Sequence, residues 1–143
     1  MPYEFLEDVA TADIAFHARG ETLEEVFVAA ASAVTHVMVA NLDAIRPRQE
    51  RQLTTEHEAL DLLLFNFLQE LVYYKDAEQL LLRVEQVEIA TRAEQYCLTA
   101  TARGEQLDPG RHHPRVDVKA VTLHRFSLQQ RQGGWEALII LDV

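Results

Sequence analysis

The order of apolar and polar residues divides the chain into short alternating segments and two longer segments with helical spacing. Residues 12–19 alternate apolar and polar side chains, which is the period of a strand with one buried face. Over residues 23–39, apolar side chains recur every three or four positions, and Thr22 and Glu25 have the spacing of a capping box. The pattern therefore predicts a strand that ends at Gly20, followed by an amphipathic helix.

A second helix is predicted over residues 59–75, and it is the more apolar of the two. Its apolar side chains cover more than one stripe of the helix surface, so we expect it to be buried between a sheet and the first helix. Thr55 and Glu58 offer a second capping box immediately before it.

The second half of the chain has the pattern of strands. Residues 80–91 and 95–104 predict a hairpin with a tight connection at Ala93 and Glu94. Residues 116–130 predict a long strand, which turns at Gly133 and Gly134 into a terminal strand. The order of elements predicts an α+β fold with two helices packed on a largely antiparallel β-sheet, and no linker divides residues 1–143 into more than one domain.

A loop is predicted over residues 107–115, because it contains Pro109, Gly110 and Pro114. His112 and His113 are adjacent within it. Neighbouring side chains rarely ligate one metal ion together, so we expect these two histidines to be an exposed pair.

Composition and charge narrow the function classes. The chain has 143 residues, 48% of them hydrophobic, and a net charge of −10. That charge argues against a protein that binds nucleic acid by broad charge neutralisation, and it favours a positive partner or a metal ion. The single cysteine, Cys97, cannot form an internal disulfide and favours a reducing compartment, the cytoplasm. We expect neither a signal peptide nor a membrane-spanning segment.

The candidate chemistry centres on the end of the terminal strand. Asp142 and the carboxylate of Val143 follow an apolar run, where two negative charges are costly unless something positive meets them. Asp13 lies on the polar face of the first long strand, either as a solvated residue or as a partner of these carboxylates. If the two strands are neighbours, three carboxylates converge, and such a group needs a hard cation such as Ca²⁺ or Mg²⁺.

Three further residues are candidates for contacts with a partner or a polar cavity. Asp61 is either a first-turn acid that favours the helix dipole or part of the same cavity. Lys119 is either a structural ion pair or a contact to a phosphate or a partner. His124 shares a predicted strand face with Thr122. No phosphate-binding glycine loop, nucleophile elbow or zinc-protease helix motif is present in the sequence.

These residues occur in motifs with a recognisable order, and over nearly its whole length the chain resembles the archease family. No single motif is specific, but their joint order at this chain length is. The motifs are Thr11–Ala12–Asp13–Ile14, Thr22–Leu23–Glu24–Glu25, Asp61–Leu62–Leu63 through Glu70–Leu71, Gly104–Glu105, Val118–Lys119–Ala120–Val121–Thr122 with His124, and Leu141–Asp142–Val143.

The resemblance implies a protein cofactor rather than an enzyme. Archeases act on the RtcB-type RNA ligase, which joins a 3′-phosphate or cyclic phosphate end to a 5′-hydroxyl end in tRNA splicing and RNA repair. They promote guanylylation of the ligase's active-site histidine and allow multiple turnover. Two other classes stay open: a metal-dependent hydrolase that uses the same carboxylates, and a general chaperone-like modulator.

The resemblance also implies which residues form the site. The family's metal site matches Asp13, Asp142 and Val143, and its lysine matches Lys119. Ca²⁺ is the first choice of cation, with Mg²⁺ or Mn²⁺ as alternatives. The chain departs from the family at Ala10, where the family has a histidine, which predicts weaker metal binding if that histidine takes part in the site.

Overall fold

The computed structural model describes residues 2–6 and 13–143. Ala10, together with the Thr11–Ala12 part of the first motif, lies outside the described residues. In chain order the elements are β1 (Tyr3–Leu6), β2 (Asp13–Gly20), α1 (Leu23–Met38), a 3₁₀ turn (Leu42–Ala44), β3 (Gln49–His57), α2 (Leu60–Glu78), β4 (Leu80–Arg92), β5 (Gln95–Gln106), α3 (Pro109–His112), β6 (Ala120–Arg131) and β7 (Gly134–Asp142).

The strands of the described residues form two separate antiparallel sheets. Sheet 1 has the order β1-β2-β7-β6, and sheet 2 has the order β3-β5-β4. The predicted α+β class and antiparallel character are confirmed, although the pattern suggested one sheet and the structure has two. Alternation reports that a strand has one buried face, and it does not report which other strand pairs with it.

The two long helices lie between the sheets. α1 packs against β2 of sheet 1 and β4 of sheet 2, while α2 packs against β6 of sheet 1 and against β3 and β4 of sheet 2. Phe27 of α1 stacks on Phe67 of α2, with ring centroids 5.9 Å apart and both side chains fully buried. α2 therefore contacts both sheets as well as α1. Within the described residues, no helix is both long and apolar enough to cross a membrane.

The predicted start of α1 is confirmed. The N–H of Glu25 donates to Oγ1 of Thr22 at 3.1 Å, which satisfies one of the free backbone donors of the first turn. The Glu25 carboxylate accepts in turn from the N–H of Glu21 at 2.9 Å. These two hydrogen bonds explain why the helix begins directly after the strand that ends at Gly20, although the Glu25 carboxylate binds the N–H of Glu21 and not that of Thr22.

The predicted capping box of α2 is wrong. Thr55 belongs to β3, and the residue that caps α2 is Ala59, which has no side-chain hydrogen bond to the helix start. Instead, Nδ1 of His57 accepts from the N–H of Ala59 at 2.9 Å. Polar residues before a helix suit an edge strand as well as a cap, so the local pattern could not distinguish the two.

Both predicted hairpins are present, but only the first turn lies where it was predicted, and the second lies one residue before the predicted Gly133 and Gly134. Ala93 and Glu94 join β4 to β5 with φ angles of 49° and 66°, as a two-residue turn of the twist-compatible type requires. Gln132 and Gly133 join β6 to β7, and φ is also positive at both residues. The second turn delivers the terminal strand β7 into the middle of sheet 1, between β2 and β6.

Candidate functional site

The register of sheet 1 brings Asp13 directly opposite Asp142. Asp13 is the first residue of β2, Asp142 is the last residue of β7, and the two are paired Cα partners. β2 and β7 are therefore neighbouring strands, which could only be assumed from the sequence. Opposed residues of an antiparallel pair project from the same face, with Cβ atoms about 4.5–5.5 Å apart. Both aspartates are half-buried.

The start of β6 completes this end of the sheet. Ala120 is the residue opposite Asp142 on β6, and the N–H of Lys119 donates to the carbonyl oxygen of Asp142 at 2.8 Å. Lys119 is exposed, and Val143 is half-buried against the core. The structure thus gathers Asp13, Asp142, Val143 and Lys119 at one end of sheet 1.

The donor set at this end fits a hard cation. Among residues 2–6 and 13–143, no three side chains of His, Cys, Asp or Glu lie close enough together to hold a metal ion. The candidate site has two such side chains, Asp13 and Asp142, and its third donor is the main-chain carboxylate of Val143. In the described part of the chain, neither aspartate is in an ion pair. Oxygen donors without a counter-charge are what Ca²⁺ and Mg²⁺ prefer.

A pocket lies beside the candidate site among the described residues. A small open pocket of about 240 Å³ borders Asp13, and its lining combines apolar side chains with the charged groups of Asp13 and Arg115. Arg115 also donates to the carbonyl oxygen of His36 at 3.3 Å, which holds the start of the segment that leads to Lys119. The described residues therefore leave an open pocket beside Asp13.

Asp61 is not brought to this end. It is exposed in the first turn of α2, where its carboxylate accepts from the N–H of Leu62 at 2.8 Å. The opposite end of α2, at Lys75, contacts Val118 in the segment before β6. Helical rise separates residues 61 and 75 by about 20 Å.

His124 lies in an irregular stretch of β6 between Thr122 and Ser127. These two residues pair with Ile140 and Leu138, so four residues of β6 stand opposite one residue of β7. The stretch interrupts the alternation that would give Thr122 and His124 a common face. His124 is exposed, and the Thr122 hydroxyl donates to the carbonyl oxygen of Ile140 at 3.0 Å.

Lys75 was not among the residues singled out from the sequence, and it binds the segment before β6. Its Nζ donates to the carbonyl oxygen of Val118 at 2.7 Å and forms ion pairs with Asp117 and Asp76. Burial lowers the pKa of Lys75, but the hydrogen bonds to the two aspartates outweigh burial and leave its pKa raised. Its only sequence signal was a basic residue in the last turns of a helix, which ordinarily indicates a favourable dipole contact.

A second polar network centres on the buried carboxylate of Glu105, in β5. The carboxylate accepts from the N–H of Arg46 and from Nε2 of His112, both at 2.8 Å, and forms ion pairs with Arg111 and Arg48. The preceding residue, Gly104, allows β4 to pass closely, because a Cβ there would lie 1.6 Å from the carbonyl oxygen of Leu81. The network holds α3 and the segment after the 3₁₀ turn against β5.

The prediction of an exposed histidine pair is wrong for His112. His112 is fully buried, while His113 is exposed. The N–H of Asp108 donates to Nδ1 of His112 at 2.8 Å, so Nε2 is the nitrogen that donates to Glu105. Pro109 and Gly110 do mark a break in the chain, but they do not tell which of two adjacent side chains points inward.

Acid is expected to weaken the fold through Glu105. The hydrogen bond from Arg111 outweighs burial and, with those from Arg46 and His112, lowers the Glu105 pKa from 4.5 to about 2. A lowered folded-state pKa gives stability that is present above pH 4.5 and is lost as the pH falls towards 2. Urea midpoints measured over that pH range should fall for the wild-type protein, and should fall less for Glu105→Gln. Equal slopes for the two proteins would contradict this account.

Comparison with known proteins agrees with the fold and with the motif order. The Archease protein family model matches residues 3–143. Among curated relatives, the archease of Pyrococcus abyssi is 39% identical over 134 residues, covering 93% of this chain and 94% of the relative. The archease of Methanopyrus kandleri is 33% identical and aligns over 100% of both chains.

Two solved structures are similar. The solution structure of Methanobacterium thermoautotrophicum protein 1598 has a TM-score of 0.86 and 35% identity, and the match covers 99% of each chain. The crystal structure of an archease from Thermotoga maritima, described as a possible chaperone, has a TM-score of 0.65 and 16% identity, and the match covers 94% of this chain and 93% of that one. The second likeness bears on the fold alone.

Proposed function

The chain belongs to the archease family, and from this premise we propose that it activates an RtcB-type RNA ligase. Its action is to promote guanylylation of the ligase's active-site histidine, and so multiple turnover, during tRNA splicing and RNA repair in the cytoplasm. On this proposal the chain is a protein cofactor and not an enzyme. The observation that supports it is the pairing of Asp13 with Asp142 beside Lys119, which brings together the positions that match the family's site.

The carboxylates of Asp13, Asp142 and Val143 would hold one divalent hard cation, with Ca²⁺ as the first choice and Mg²⁺ or Mn²⁺ as alternatives. When bound, such a cation supplies positive charge that can balance phosphate oxygens. The chain's own contribution is to orient these three carboxylates at one end of sheet 1. Lys119 is exposed, and on this proposal its ammonium group would contact a phosphate of the nucleotide.

The charge of the chain supports a basic, RNA-binding partner. A net charge of −10 repels nucleic acid and is complementary to a surface that binds RNA. Complementary charge speeds the encounter between this protein and the ligase, and salt screens that attraction. Stimulation of the ligase should therefore decrease as the salt concentration is raised. Asp61 and His124 are exposed and remain predicted contacts for the partner.

The test measures guanylylated ligase formed from GTP, with and without this protein, at less than one equivalent per ligase. We expect faster guanylylation and more than one ligation per ligase molecule, and no stimulation would refute the proposal. A gel shift with RNA alone at low salt should be negative. Turnover of a phosphate ester by the isolated protein would favour the hydrolase instead, and general suppression of aggregation would favour the chaperone-like modulator.

A further inference from the structure

The peptide group between Val118 and Lys119 is held from both sides. Its carbonyl oxygen, on Val118, accepts from Nζ of Lys75 at 2.7 Å, and its N–H, on Lys119, donates to the carbonyl oxygen of Asp142 at 2.8 Å. The C=O and N–H of a trans peptide point in opposite directions within one plane. Lys75 and Asp142 are therefore bound to opposite edges of the same rigid group.

Lys75 is itself held firmly enough to act as a fixed point. Its side chain is only 12% exposed, and it projects from α2, which is packed between the two sheets. Ion pairs with Asp117 and Asp76 keep the ammonium group in place, and Val118 is fully buried. A charge-assisted hydrogen bond to a peptide carbonyl also strengthens the hydrogen bond made by the N–H of that peptide.

We infer that Lys75 is a positioning residue for the candidate cation site. It acts through the 118–119 peptide to fix the backbone of Asp142 and the starting direction of the Lys119 side chain. The inference rests on the proposed function, since it names a residue that supports the same site. Lys75 touches neither the cation nor a phosphate in this scheme.

Removing the ammonium group should loosen this end of sheet 1 selectively. In Lys75→Met, the Val118 carbonyl loses its donor, and the aspartates at 76 and 117 lose their shared counter-charge. The hydrogen bond from the Lys119 N–H to Asp142 then depends on strand pairing and on the bond from the Val121 N–H to Oε1 of Gln69, two residues further along. Loss of a group that supports a metal ligand typically weakens metal binding by about 10–100-fold.

The chain offers a matched control on the same helix. Arg51 of β3 binds Glu78 in the last turn of α2 at 2.6 Å, so Arg51→Met also removes an ion pair at this end of α2. That pair faces sheet 2 and has no contact with the 118–119 peptide. A third variant, Lys75→Arg, keeps a charge that can reach the same acceptors.

The experiment combines Ca²⁺ titration by calorimetry with backbone amide exchange measured by NMR in Ca²⁺-free protein. We expect Lys75→Met to bind Ca²⁺ about tenfold or more weakly and to exchange the Lys119 amide faster. Arg51→Met should match the wild type in both, and Lys75→Arg should recover part of the affinity. Thermal unfolding of all variants separates a local effect from general destabilisation.

The outcomes separate this inference from the function on which it rests. Unchanged Lys119 exchange in Lys75→Met, or equal changes in Lys75→Met and Arg51→Met, would overturn the inference. If the wild-type protein binds no Ca²⁺, the cation proposal fails and amide exchange decides the inference. Faster exchange of the Lys119 amide in Lys75→Met, but not in Arg51→Met, would then support the inference that Lys75 positions Asp142 and Lys119 without a cation.

Discussion

Asp142→Asn is expected to abolish Ca²⁺ binding and at the same time to stabilise the cation-free protein. Asp142 lies opposite Asp13, and like charges directly opposite each other on a sheet are destabilising by about 0.2–1 kcal/mol. The asparagine has the same shape, and in the described part of the chain Asp142 has no ion pair to lose. Affinity for Ca²⁺ depends on the number of charged ligands, so we expect a loss of at least about 100-fold.

Thermal unfolding with and without Ca²⁺ measures both effects at once. Ca²⁺ should raise the melting temperature of the wild-type protein, because a ligand that binds only the folded state stabilises it. Asp142→Asn should start from a higher melting temperature and should not respond to Ca²⁺.

The control for Asp142→Asn is Glu136→Gln, which removes one charge from the same strand. Glu136 projects from the same face as Asp142, and its register partner is Arg19 rather than an acid. This variant should respond to Ca²⁺ like the wild type and should stimulate the ligase equally. If Ca²⁺ still raises the melting temperature of Asp142→Asn, Asp142 is not a ligand of the cation. Ligase stimulation by Asp142→Asn at the wild-type level would show that activation does not need the cation.

Among the variants proposed for this protein, Glu105→Ala should lower the free energy of unfolding most, by about 3–5 kcal/mol. The carboxylate is 5% exposed and receives hydrogen bonds from the Arg46 N–H and from His112, besides its ion pairs with Arg111 and Arg48. Its removal leaves Nε2 of the buried His112 and the N–H of Arg46 without their acceptor, and it removes the counter-charge of the partly exposed Arg111. Glu105→Gln keeps the shape but turns an NH₂ group towards donors, so it should also be destabilised, by less. Urea denaturation measures both free energies of unfolding.

Glu50→Gln is the matched control for the Glu105 variants. Glu50 pairs with Arg103 at 3.1 Å on the neighbouring strand, and more than half of each side chain is exposed. Exposed pairs of this kind contribute about 0–1 kcal/mol. A Glu105→Ala protein no less stable than Glu50→Gln would mean that the network around Glu105 does not hold α3 in place.

Much of the local structure could be predicted because its causes lie within a few residues. The cap formed by Thr22 and Glu25, the turn at Ala93 and Glu94, and the terminal strand were all predicted and are all present. Where two local structures suit the same residues, prediction failed. Thr55 was assigned to a cap and belongs to a strand, and His112 was assigned to the surface and is buried.

The sequence singled out the two aspartates that the register places opposite each other, but not the lysine that binds the segment beside them. Asp142 was singled out because an acid at the end of an apolar strand is costly without a partner, and Asp13 because it lies on the polar face of a strand that could be its neighbour. Lys75 was not, because nothing near it in the chain shows that the end of α2 meets the segment before β6. Its acceptors, Asp117 and Val118, lie more than forty residues away in sequence.

By itself, the sequence determined the kind of most elements, the α+β class, the acidic charge and, through the order of its motifs, the family. The tertiary structure decided how the strands divide into two sheets and which residues stand opposite each other. Asp13 and Asp142 lie near the two ends of the chain, and only the antiparallel pairing of β2 with β7 brings their carboxylates to the same end of sheet 1. Strand pairing and register depend on contacts between distant segments, whereas periodicity, caps and turns depend on neighbours along the chain.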